Sequence, residues 1–247
     1  MRDGLSDREA FRRTIGELKR RGQSDLLSTG VLIDLPLAKE LARKGSDVRC
    51  GVNLVCCPNR EIVGRIAAIQ RRLFEYEPAQ YYYPPQDLHL TLVEICHSRT
   101  EEEANEIALA AQSLAPRFLA RQPPAVVDEP TLAYDSKSAA LNFLPRDERL
   151  QRVREAVRED LACHGLPVAS RYPPRSAHIA LLRYTTPLRT AAEKWVEVLN
   201  SCEITLEGAW VLTPVWLTWG ATWYGMENRI SRYGPMIVGS EVSDAIA

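Results

Sequence analysis

Two ten-residue segments of this 247-residue chain match each other closely. The first runs Tyr83-Pro84-Pro85-Gln86-Asp87-Leu88-His89-Leu90-Thr91-Leu92, the second Tyr172-Pro173-Pro174-Arg175-Ser176-Ala177-His178-Ile179-Ala180-Leu181. In both, the histidine follows the tyrosine by six residues, and the histidines stand 178 − 89 = 89 residues apart. The paired prolines hold the preceding backbone extended, and the residues after them read as a strand. Two copies are too few for a solenoid, which needs at least three. They imply an α+β fold of two pseudo-symmetric lobes, each a small antiparallel-containing sheet with packed helices, facing across a central cleft. A site is expected where the lobes meet.

Each half of the chain reads as strand, helix, histidine strand, helix. In the first half, a strand over 51–58 precedes a helix capped by Asn59, with Ile62, Ile66, Ile69 and Leu73 on one face. The histidine strand covers 88–95, and Thr100 with Glu103 forms a capping box for a helix to about 114. In the second half, strands over 125–134 and 139–144 turn near 135–136. A helix with Leu150, Val153, Val157 and Leu161 inward closes at Gly165. The second histidine strand covers 177–184, followed by a helix around 190–199, strand-like segments 203–212 and 215–224, and a tail containing glycine and proline. Ahead of all this, residues 7–21 form a basic helix with Phe11, Ile15 and Leu18 at helical spacing, and a second helix spans about 35–43. The expected organisation is an N-terminal helical extension over 1–49, a bilobal domain over 50–235 (repeats about 50–122 and 123–235), and a tail over 236–247.

The balance of charge narrows the function. Lysines and arginines number 31 against 32 aspartates and glutamates, giving a net charge of −1. No global basic field draws in nucleic acid, so an anionic substrate has to be attracted by a local pocket. The charges of the first helix read as a solvated face, with RNA or membrane contact as the alternative. No stretch approaches the roughly 20 apolar residues of a membrane span, and the N-terminus lacks the order of a secretory signal. The cysteines at 50, 56, 57, 96, 163 and 202 show no C-x-x-C spacing. Cys56 and Cys57 are adjacent on a strand and point to opposite faces, which suits neither joint chelation nor a disulfide framework. The expectation is a cytoplasmic protein with reduced thiols, no membrane association and no obligate protein partner.

On a strand, residues i and i+2 share a face. His89 therefore sits with Thr91, and His178 with Ala180. Two imidazoles and a hydroxyl converging on one concave surface suit attack at a phosphodiester. One imidazole takes a proton from the nucleophile while the other supplies one to the leaving oxygen, and the hydroxyl donates to a phosphate oxygen. No carboxylate cluster suggests a metal, so neither a metal nor another cofactor is expected. Trp216, Trp219, Trp223 and Tyr224 read as core packing, with a base-stacking platform as the alternative. His97 and His164 read as lying outside the site.

The paired His-x-Thr-type segments, one per lobe, resemble the 2H phosphoesterases, over about residues 50–225. The resemblance implies a metal-independent hydrolase of cyclic or 2′-5′-linked phosphodiesters, with His89 and His178 as the catalytic pair and Thr91 as a phosphate ligand. It implies, as partner, an RNA end or a small nucleotide carrying a cyclic or 2′-5′ phosphate. The second motif departs from the pattern, with Ala180 where Thr or Ser is expected. By strand parity Ser176 is the better replacement for the missing hydroxyl, while Arg183, five residues after His178, falls on the opposite face. Arg175 is placed to reach over the rim, and Tyr83 and Tyr172 offer further substrate contacts. His89 is assigned as general acid and His178 as general base. The rival reading is a nucleotide- or RNA-binding module of the same fold with weak or lost catalysis.

Overall fold

Apolar residues at a spacing of two put one side of a strand in the core, and here they assemble into one antiparallel sheet with helices packed on it. The computed structural model describes residues 7–168, 176–222 and 229–240. Its helices are α1 (Asp7–Thr29), α2 (Leu35–Ala42), α3 (Arg60–Tyr76), α4 (Glu101–Ala120), α5 (Arg149–Cys163) and α6 (Ala192–Asn200). The strands are β1 (Cys50–Cys56), β2 (Tyr81–Tyr82), β3 (Leu90–Arg99), β4 (Val126–Tyr134), β5 (Ser138–Pro145), β6 (His178–Arg183), β7 (Trp210–Val211), β8 (Val215–Ala221) and β9 (Ile230–Met236). The sheet order is β7-β4-β5-β6-β3-β1-β8-β9, with β2 paired to β6. Strand β3 begins one residue after His89, which lies outside it, and is joined to β6 by a bridge from Leu90 to Ile179. The two lobes are thus halves of one curled sheet, hinged at that bridge. Although last in the chain, β8 pairs onto β1 and β9 onto β8, extending the first half.

Local chemistry accounts for most boundaries. Asn59 caps α3 by accepting from the Ile62 N–H at 2.9 Å, and the Thr100–Glu103 capping box is complete. Asp135 turns the β4–β5 hairpin by accepting from the N–H groups of Lys137 and Ser138. Three segments differ from the sequence reading. Of residues 203–212 only Trp210–Val211 form a strand, because Glu203, Glu207 and Gly208 disfavour the ladder. Strand β9 lies within the expected tail and domain end; its Gly234-Pro235 obscures it, and an edge strand tolerates both. Helix α4 continues past 114 through Pro116 to Ala120.

Residues 7–49 are built into the molecule. Helix α1 buries Ile15, Gly22 and Leu26, whereas Leu18 is 54% exposed. Gly22 is required there, since a Cβ would lie 1.8 Å from the Tyr134 carbonyl oxygen. Arg8 and Arg12 bind Glu129 on β4 at 2.6 and 2.7 Å, so part of the basic face is engaged within the protein. Between the halves, buried Glu77 accepts from the N–H groups of Arg189 and Thr190 and from the Thr190 hydroxyl, at 2.7–2.9 Å. Trp195 and Tyr184, both fully buried, are joined by an indole-to-hydroxyl hydrogen bond of 3.0 Å. Among the described residues all the cysteines are free, and no helix is long and apolar enough to cross a membrane.

Candidate active site

The β3–β6 bridge is antiparallel, so carrying its register one step either way sets Thr91 beside His178 and His89 beside Ala180. The histidines then occupy one diagonal of a four-residue square. Diagonal neighbours on paired strands lie about 7–8 Å apart at Cα. His89, Thr91, His178, Ala180 and Tyr83 all line one pocket. Tyr83 is held by edge-to-face contact with Tyr81 at 5.2 Å. The Gln70 amide donates to the carbonyls of Tyr83 and Leu181, tying both halves to the same helix. Ser176 precedes β6, is half-buried and is not part of the pocket wall. Tyr172 and Arg175 lie outside the described residues, as do Pro173, Pro174, Trp223 and Tyr224.

Strict alternation does not persist along either histidine strand. On β6, Ala180 pairs with Ala140 but Leu182 pairs with Ala139, so Leu181 is an extra residue. On β3, Thr91 pairs with Val55 and Val93 with Leu54, so Leu92 is extra in the same way. Each bulge reverses the parity of the residues beyond it. Leu181 and Leu182 are both buried, as are Leu92 and Val93. The next residues, Arg183 and Glu94, turn into the pocket. Arg183 therefore lies on the site's side, contrary to the parity argument. A second irregularity between Glu94 and Cys96 brings His97 to the pocket as well. The signal for these residues was in the repeat: in both copies the histidine is followed at the third and fourth positions by apolar residues and at the fifth by a charge. Two apolar residues in succession mark a bulge.

Hydrogen bonds and burial set the protonation of the pair. The His89 Nδ1–H donates to the Asp87 carbonyl oxygen at 2.6 Å, which fixes the tautomer and leaves Nε2 for the pocket. Burial pushes His89 down to about 4; the Asp87 contact opposes this, and Arg232 adds to it. Burial likewise takes His178 to about 4, with Arg154, His89 and Arg183 reinforcing the shift. The Asp87 carboxyl, 2% exposed and without a hydrogen-bond partner among the described residues, is pushed up to about 6 by burial. Behind the seam, buried Arg154 of α5 donates from Nε to the Leu92 carbonyl at 2.9 Å and from Nη2 to the Thr91 carbonyl at 2.8 Å. Trp219 borders the pocket, but its indole N–H is bound to Asn105 of α4 at 2.9 Å, which anchors the ring in packing.

These shifts predict an acid-sensitive fold. Unfolded histidines take up protons near 6.5 while the folded pair resists until about 4, so stability falls as pH drops through that window. Asp87 acts in the opposite sense. Its folded carboxyl binds a proton below about 6, and the unfolded one near 3.8, so it offsets part of the loss. Urea midpoints at pH 7.5 and 5.0 are expected to differ less in a His89→Ala/His178→Ala variant than in the native protein. Asp87→Asn is expected to widen the difference.

The architecture is the 2H phosphoesterase-like fold. The crystal structure of TT0787 of Thermus thermophilus overlays with a TM-score of 0.53 at 15% identity, covering 77% of this chain and 99% of that one. A conserved protein of unknown function, ATU0111 from Agrobacterium tumefaciens, overlays with a TM-score of 0.53 at 12% identity, covering 87% and 97%. The structure of E. coli LigT complexed with 3′-AMP reaches a TM-score of 0.44 at 18% identity over 76% of this chain and 95% of that one. At 15% and 12% identity the first two overlays show the fold alone. No family model and no curated protein matches the sequence.

Proposed function

We propose that this chain is a metal-independent phosphodiesterase acting on a 2′,3′-cyclic phosphate or a 2′-5′ phosphodiester in RNA or a nucleotide. The observation that carries this reading is the diagonal pair of half-buried histidines, one from each half-sheet, in a pocket that also holds Thr91 and Arg183. His178 lies among three positive or titrating groups that resist its protonation, whereas His89 donates to a carbonyl that favours its protonated form. Both rings are neutral before substrate binds. The anionic phosphodiester favours one proton on the pair when it binds, and the Asp87 carbonyl favours His89 as its holder. His89 is therefore the general acid and His178 the base. In the step, His178 removes a proton from water as its oxygen bonds to phosphorus. The P–O bond to the ribose oxygen breaks, and His89 delivers its proton to that oxygen. Thr91 and Arg183 hold the remaining phosphate oxygens.

In this reading Arg183 supplies the donor missing at Ala180. Arg183→Met is expected to raise KM at least about tenfold, from the loss of a charge-assisted hydrogen bond. Adding Ala180→Thr to that variant is expected to recover part of the loss, and steady-state kinetics of the single and double variants measure both. The reading itself is tested with 2′,3′-cyclic nucleotides and 2′-5′-linked oligonucleotides in EDTA. Turnover is the expected result. Tight binding without turnover would instead favour a nucleotide-binding module, the reading that Ala180 supports.

A further inference from the structure

The two bulges have delivered residues of opposite charge to equivalent places. Glu94 follows His89 by five residues and Arg183 follows His178 by five, and both face the pocket. A pseudo-symmetric pair of half-sheets therefore ends in a polarised site. Glu94 is 3% exposed and pairs directly across the ladder with Asn53 of β1, another pocket residue. Asn53 pairs onward with buried Thr218, whose hydroxyl donates to the Asn53 carbonyl at 3.4 Å. Thr91 pairs with Val55 and Glu94 with Asn53, two positions apart on β1. That places the Glu94–Asn53 row about 7 Å along the sheet from the Thr91 row, a separation that a sugar ring spans.

A carboxylate can only accept hydrogen bonds, and it repels further anionic groups. The Glu94 end is thus unsuited to a second phosphate and suited to a neutral group rich in donors. An asparagine amide beside it offers one donor-acceptor pair more. Among the common bases, guanine has two adjacent donors, N1–H and the N2 amino group, flanked by the acceptor O6. Adenine, cytosine and uracil each lack that sequence on their pairing edge.

We propose that Glu94 and Asn53 form a base subsite selective for guanine, with Glu94 accepting from N1–H and N2–H and the Asn53 amide donating to O6. The substrate then lies in one direction across the sheet, its phosphate at the histidines and Arg183 and its base at β1. This inference rests on the phosphodiesterase reading.

The test compares the 2′,3′-cyclic phosphates of guanosine, inosine, adenosine, cytidine and uridine. Guanosine is expected to exceed adenosine, cytidine and uridine by about tenfold or more in kcat/KM. Inosine, lacking only the N2 amino group, is expected to fall between. Glu94→Gln, close in size to the native residue, is expected to bring guanosine down to the level of adenosine. Asn53→Ala is expected to lower guanosine and inosine together. Equal rates for all five substrates, or a guanosine preference that survives Glu94→Gln, would overturn the inference while leaving the phosphodiesterase reading intact. If none is hydrolysed and 2′-5′-linked oligonucleotides are not cleaved either, that reading has failed, and calorimetric affinities for the same five compounds decide the subsite separately. A guanine preference abolished by Glu94→Gln still supports it, and equal affinities refute it.

Discussion

Replacing His89 or His178 by alanine is expected to lower kcat on a 2′,3′-cyclic phosphate by about 10²–10⁴-fold, the usual contribution of a positioned general acid or base. In the proposed mechanism the two rings act in one proton-transfer sequence, so the double variant should lose little more than the worse single variant. KM should change less, since Thr91 and Arg183, the proposed phosphate donors, remain. Neither substitution opens a large apolar cavity, because both rings are half-buried at the pocket rather than packed in the core. Thermal unfolding of each variant therefore separates a chemical defect from a folding defect. Activity within tenfold of the native rate in either folded variant would rule out the two-histidine mechanism.

Arg154→Met is expected to produce the largest combined loss of stability and catalysis away from the pocket wall. Its guanidinium satisfies the carbonyls of Thr91 and Leu92 at the bulge where β3 leaves β6. Methionine fills much of the space but cannot donate, so two buried acceptors lose their partner, at a cost of about 2–4 kcal/mol. Arg154 stays protonated at neutral pH, although burial and neighbouring Arg158 draw it down to about 10. Its charge is among the groups that depress His178. In the methionine variant the limb of the kcat/KM profile governed by His178 should therefore move to higher pH. Arg154→Lys retains a charge but has one donor nitrogen in place of the guanidinium fork, so it should keep the native limb while still losing stability. Chemical denaturation and the two pH profiles check this, and equal profiles for Met and Lys would show that the charge does not act on His178.

The seam also marks where sequence reasoning stops. The matched Tyr-Pro-Pro-x-x-x-His segments showed that the molecule has two related halves, because a ten-residue coincidence at fixed offsets reports on local backbone geometry. The caps at Asn59 and Thr100 were equally legible, since each depends on residues three apart. Arg183 was placed on the wrong face because parity counting assumes an unbroken strand. Its bulge exists only in relation to the partner strand β5, where Ala139 and Ala140 face Leu182 and Ala180. The positions of Glu94 and His97 likewise depend on the register of β3 against β1. Strand β9 was hidden by its own Gly234 and Pro235, which an edge position allows and an interior one would not.

The N-terminal fifty residues show a different limit. Their helical periodicity was plain, yet nothing local foretold that Arg8 and Arg12 would meet Glu129 or that Asp34, which caps α2, would lie 3.9 Å from Arg183. Such contacts join residues more than a hundred positions apart and arise from packing alone. By itself, then, the sequence determined the repeated unit, the helix caps and the presence of one histidine on each half, all of which rest on neighbours within a few residues. Only the tertiary structure decided that the halves share one sheet through the Leu90–Ile179 bridge. It also decided that the strands beside them shift register and turn Glu94 and Arg183 toward the same pocket. Register is a relation between strands, and a single strand does not contain it.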